Sequence, residues 1–99
     1  MADEGEKDKR KFAKNFLEKW AKAEREGRPV EETLKEVEAA LKISGNNPGL
    51  WFRKGVLLSE LEKWELALES LRKAESLDPT LPRLQVVLWL VDWPLRPPE

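Results

Sequence analysis

The chain reads as an all-α domain of five antiparallel helices, and three observations predict it. Apolar residues recur at three- and four-residue spacing through most of its 99 residues. No window alternates convincingly with period two, so no strand is expected. Pro, Gly, Asn and Asp fall in clusters that cut the chain into segments of helix length.

Helix 1 is expected from about Lys7 to Glu26, with Phe12, Phe16, Leu17, Trp20, Ala21 and Ala23 on its apolar face. Gly27 stops it, and "GRP" turns the chain. Pro29 suits the first turn of helix 2, since the amide it lacks has no partner there. Glu31 and Glu32 lie against the positive end of that helix, and Val30, Leu34, Val37 and Leu41 make its seam before Ser44–Gly45 end it. Asn47 as cap and Pro48 in the first turn open helix 3, whose core candidates are Leu50, Trp51, Leu57, Leu58 and Leu61. A break near Glu62–Lys63 leads to helix 4, with Trp64, Ala67, Leu68, Leu71, Ala74 and Leu77 inward and Asp78–Pro79 closing it. Thr80 is the expected cap of helix 5, Pro82 its first turn and Pro94 its end. Four Glu-before-Lys pairs at i,i+4 (Glu18/Lys22, Glu31/Lys35, Glu38/Lys42, Glu69/Lys73) favour helix by only about 0.2–0.5 kcal/mol each.

Composition excludes several functions. Ninety-nine residues make one small domain with one thin core and no deep cleft. Net charge is −1, so no global field recruits nucleic acid or an anionic membrane. The chain has no Cys and no His, which removes disulfides, the usual zinc ligands and the usual nucleophile–base dyads. Carboxylates lie along solvated helical faces, and the glycines follow no nucleotide-binding spacing, so no catalytic residue, metal or cofactor is expected. The start "MADEGEKDKR" has no apolar core of a signal peptide. The apolar run Val86–Val91 falls far short of the roughly 20 residues that span a bilayer. A cytoplasmic protein is the expectation. Abundant Glu and Lys, with three Asn, one Gln and one Met, match the bias of proteins from hot habitats. The one basic cluster, "KDKRKFAK", follows Asp3, Glu4 and Glu6 and reads as a solvated helix start rather than a phosphate contact.

The two helix pairs have similar lengths, and their closing turns, "SGNNP" and "SLDPT", lie about one helix pair apart. Within the second unit stand Trp51, Gly55, Leu58, Ala67, Leu71, Ala74 and Pro79. These offsets resemble the 34-residue tetratricopeptide (TPR) repeat, with its W-x2-L-G-x2-Y, A-x3-F and Pro signature. Gly55 and Ala67 are small where two antiparallel helices would cross closely. Lys54 departs from the pattern, and Leu58 and Leu71 replace aromatics. The first unit matches at Leu17, Trp20, Ala21, Val37 and Ala40, with Thr33 in place of a small Ala. The resemblance implies a right-handed α-solenoid of antiparallel helix-turn-helix repeats. Its layout would be a charged extension over 1–13, repeat 1 over 14–47, repeat 2 over 48–79, a capping helix over 80–93 and a Pro-rich tail over 94–99.

At 100° per residue Leu84, Val87, Leu88 and Val91 share one face of helix 5, which should meet helix 4. Gln85 and Asp92 lie on a polar flank, where Trp89 should be half exposed. Val86, Leu90 and Trp93 form a second stripe nearly opposite the first. The resemblance places this stripe in a concave groove with Asn15, Glu18, Lys19 and Lys22 of helix 1, Phe52, Arg53 and Val56 of helix 3, and Arg83. Such a groove implies a non-enzymatic protein–protein interaction scaffold that binds a peptide or helix with apolar anchors. Two other readings of the stripe remain open: the tail "PLRPPE" shields Trp93, or two copies pair through helix 5 as a homodimer. One branch of the family grips chaperone carboxylates. Of the matching Glu18, Lys22, Arg53, Arg83 and Val87, only Arg83 keeps the basic character needed on the third helix, so that activity is not expected.

Overall fold

The computed structural model describes the backbone of residues 2–95 and the side chains of residues 11, 12 and 15–92. It is all-α: α1 Ala2–Glu24, α2 Val30–Ile43, α3 Pro48–Glu60, α4 Trp64–Leu77 and α5 Leu84–Leu95. Punctuation accounts for most boundaries. Asn47 accepts a hydrogen bond from the Leu50 N–H at 3.3 Å, and Pro48 fills the first turn behind it. Gly27, at φ 76°, donates its N–H to the Lys22 carbonyl at 3.1 Å and so closes α1 with a left-handed turn.

Three boundaries differ from expectation. The charged segment expected as an extension is already helical from Ala2, continuous with the rest of α1. Thr80 does not cap α5, because the Asp78 carboxylate accepts both its N–H at 3.0 Å and its hydroxyl at 2.6 Å. The chain then makes a further turn through Arg83, at φ 68°, and α5 begins at Leu84. Pro94 does not end that helix, which runs one residue past it.

Consecutive helices from α2 to α5 pack on one another, and α3 against α4 is the most extensive of these contacts. The α3–α4 approach is close because Gly55 has no side chain. A methyl there would sit 2.5 Å from the Leu71 Cγ and 3.2 Å from the Ala67 carbonyl oxygen. Leu84, Val87, Leu88 and Val91 are buried with Leu71 and Ala74, as the first face of α5 requires. Gln85 stays exposed and donates to Glu75 at 3.0 Å.

α1 departs from this serial order. Among the described residues it makes no close backbone approach to α2, its neighbour in sequence. It lies instead across α3 and α5, where Leu17 and Ala21 join the core. No helix among the described residues is long and apolar enough to cross a membrane.

Candidate functional site: the face of α3 and α5 under α1

The residues expected to line one groove separate into two groups. Asn15, Glu18, Lys19 and Lys22 are exposed on the side of α1 turned away from Leu17 and Ala21, so they do not face α3 and α5. Phe52, Val56, Arg83 and Leu90 belong to the surface beneath α1. Arg53 is exposed at its edge, beside Trp20 and Arg25. Two of the expected groove residues are therefore core rather than open surface. Val56 is buried, and Leu90 is only 2% exposed, in one cluster with Leu17 and Ala21. Both α1 and α3 approach α5, and Leu90 of the second stripe is buried in the cluster they share. Val86, at the margin, keeps 52% of its surface. The side chain of Trp93 and its expected shielding by the tail lie outside the described residues.

At the centre of this face Trp20 packs against Phe52, with ring centroids 5.8 Å apart and planes at 50°. The Arg83 guanidinium stands 4.8 Å from the Trp20 ring and pairs with Glu24 at 3.3 Å. The turn beyond Asp78 thus aims Arg83 at α1. The Trp20 Nε1 is enclosed and has no hydrogen-bond partner, beside a cavity of about 20 Å³ lined by Trp20, Phe52 and Val56 together with Thr33 of α2, Arg25 and Arg53. Apolar packing here is less complete than at the Gly55 crossing.

Beyond the aromatic pair, Arg25 at the end of α1 reaches the far end of α3. Its Nη2 donates to Glu60 at 2.7 Å and its Nη1 to the Arg28 carbonyl at 2.6 Å. The Glu60 side chain is 2% exposed and is met by the Arg25 guanidinium. The hydrogen bond from Arg25 to Glu60 holds the guanidinium pKa above its ordinary value, although burial opposes this. No local pattern marks this pair, because its members lie 35 residues apart.

A second concavity lies on the other side of α3. It is an open groove of about 370 Å³ between α2 and α4, floored by Trp51 and Leu58 and edged by Glu38, Lys54, Lys63 and Glu69. Trp51 is fixed there by donating its Nε1–H to the Gly45 carbonyl at 2.7 Å, with the Lys54 ammonium 5.3 Å from its ring. Both signs of charge alternate around this rim, so it selects no ligand charge. Among the described residues no group of three or more His, Cys, Asp or Glu side chains is placed to hold a metal. No protein-family model, characterised protein or solved structure matches the chain.

Proposed function

We propose that the protein is a non-enzymatic protein-interaction module that takes an amphipathic helix on the face formed by α3 and α5. One observation carries this reading: that face already holds a helix. The other sequence neighbours pack on each other, yet the α1 backbone makes no close approach to α2 and lies across α3 and α5, with Leu17, Trp20 and Ala21 in or against the core cluster. Three anchors at i, i+3 and i+4 in an apolar groove are the usual way a surface recognises a helix. The hairpin of α3 and α4, with Gly55 against Leu71, supports a tetratricopeptide-like unit at its centre. On this reading α2 to α5 form the layered array, and α1 is the resident occupant of its concave side.

The homodimer reading through the outer stripe of α5 is weaker, because Leu90 is unavailable to a second subunit while α1 is docked. The test uses the full chain with Leu17→Asp, which removes the deepest anchor of α1, and a synthetic peptide of residues 11–26. Titration calorimetry should detect peptide binding to the variant in the micromolar range and much weaker binding to the wild type. A variant that keeps α3 and α4 folded but ignores the peptide would contradict the reading.

A further inference from the structure

We propose that the helix on this face is exchangeable and that its exchange partner is α1 of a second copy of this chain. The inference rests on the helix-in-groove reading above and adds the identity of the occupant.

Three features favour a second copy. First, α1 is mechanically separable. Among the described residues its backbone approaches α3 and α5 but not α2, whose Thr33 meets it through a side chain alone, so opening the turn at residues 26–29 moves α1 with Arg25 while α2 stays on α3. Second, that turn is held in an uncommon conformation. Glu26, at φ 55°, and Gly27, at φ 76°, are both left-handed. Glu26 has a side chain and is disfavoured there, so an extended turn relieves it. Third, the groove selects its helix by charge as well as shape. Glu60, almost wholly enclosed, requires a cation at one place, four residues beyond a small residue and eight beyond a Leu anchor. Arg25, Ala21 and Leu17 satisfy that pattern in α1. A second copy carries the same helix and re-forms the contacts that α1 makes with α3 and with Arg83, Trp20 on Phe52 and Glu24 with Arg83 included, while the Arg25–Arg28 hydrogen bonds of the opened turn are given up, as closed two-fold exchange of an element allows.

The buried pair supplies the test. Arg25→Glu leaves two carboxylates facing each other, and Glu60→Arg leaves two guanidiniums, so each variant alone should hold α1 poorly. An equimolar mixture refolded from urea can restore both pairs only by exchange. The carboxylate that Arg25→Glu places on α1 of one chain then meets the guanidinium that Glu60→Arg places on α3 of the other. In the second half of the same exchange, the native Arg25 of the latter chain meets the native Glu60 of the former. Native mass spectrometry should show a heterodimer at twice 11.5 kDa, in excess over either homodimer by about tenfold or more. The double variant R25E/E60R carries a matched pair within one sequence and should fold while ignoring both single variants. If it folds while the mixture stays as two separate monomers, exchange is overturned.

A second variant keeps the idea testable should the reversed pair not fold. Deleting Glu26 and Gly27 makes the turn too short for α1 to fold back, and light scattering should find a dimer at micromolar concentration. A monomer with α1 still docked would overturn exchange. Peptide binding to the Leu17→Asp chain without any heterodimer would leave the helix-binding face intact and exclude the second copy as its occupant.

Discussion

The hairpin of α3 and α4 and the seating of α1 on α3 and α5 both bury leucines completely, yet they are built differently. In the hairpin, Gly55 lets two backbones approach until Leu71 and Ala67 fill all the space between them. At α1 the apolar row is short, with Leu17 and Ala21 buried and Trp20 only partly so. Among the described residues polar contacts frame this row: Arg25 on Glu60, Arg83 on Glu24, and an enclosed indole N–H with no partner. Directionless packing over a large area makes a core. A short apolar row framed by charged pairs has the composition of an interface between partners, even though Leu17 and Ala21 belong to the same buried cluster as Leu71 and Ala74.

The same substitution made in both regions should have unequal effects. Leu71→Ala removes a fully buried side chain from the hairpin and should destabilise the whole protein by about 4–5 kcal/mol. Leu17→Ala removes an equally buried one, but its cost should level off at about 2 kcal/mol. Once α1 leaves as a unit, no further loss can follow from that helix. Urea denaturation followed by far-ultraviolet circular dichroism measures both. Equal losses at the two positions would mean that α1 is as integral as the hairpin.

A smaller effect probes the contrast at the turn between α4 and α5, ahead of Arg83. The Thr80 hydroxyl and then its backbone N–H donate to Asp78 and hold that carboxyl below the usual carboxylate range. A carboxylate with a lowered folded-state pKa contributes stability above its unfolded value of about 3.9. That contribution is lost as the pH falls through the lower folded value. Thr80→Ala should therefore raise the Asp78 pKa in a carboxyl-detected NMR titration and trim the acid tolerance of this turn. The docking of α1 should not change, and a Trp20 signal that shifted with the variant would show the two regions to be coupled.

The sequence is a better guide to the hairpin than to α1, for a physical reason. Helix stops are local: Asn47, Pro48 and Gly27 act on atoms within a few residues, so they can be read from spacing alone. The first face of α5 is equally legible, because one helical period decides it, and Trp89 is 50% exposed as its position on the flank implies. Thr80 misleads because an Asp two residues before it accepts both its hydroxyl and its N–H in a local turn. Which face covers which is not local. Leu90 reads as an outer-stripe residue until α1 is placed over it, and the two residues that latch α1 down, Glu60 and Arg83, are 35 and 59 positions from their partners. Charge pairs at i,i+4 give no hint of these long-range ones, and the separation of Asn15, Glu18, Lys19 and Lys22 from the groove follows from the same missing information.

Whether α1 opens on its own is decided by native-state hydrogen exchange resolved by residue, which reports the opening free energy of each helix separately. Amides of α1 from Phe16 to Ala23 should exchange through a local opening that leaves α3 and α4 protected, with those two helices exchanging only on global unfolding. Identical protection in α1 and in the α3–α4 hairpin, changing together with urea, would show that α1 never leaves its seat while the rest is folded, and the docked-helix reading would fail.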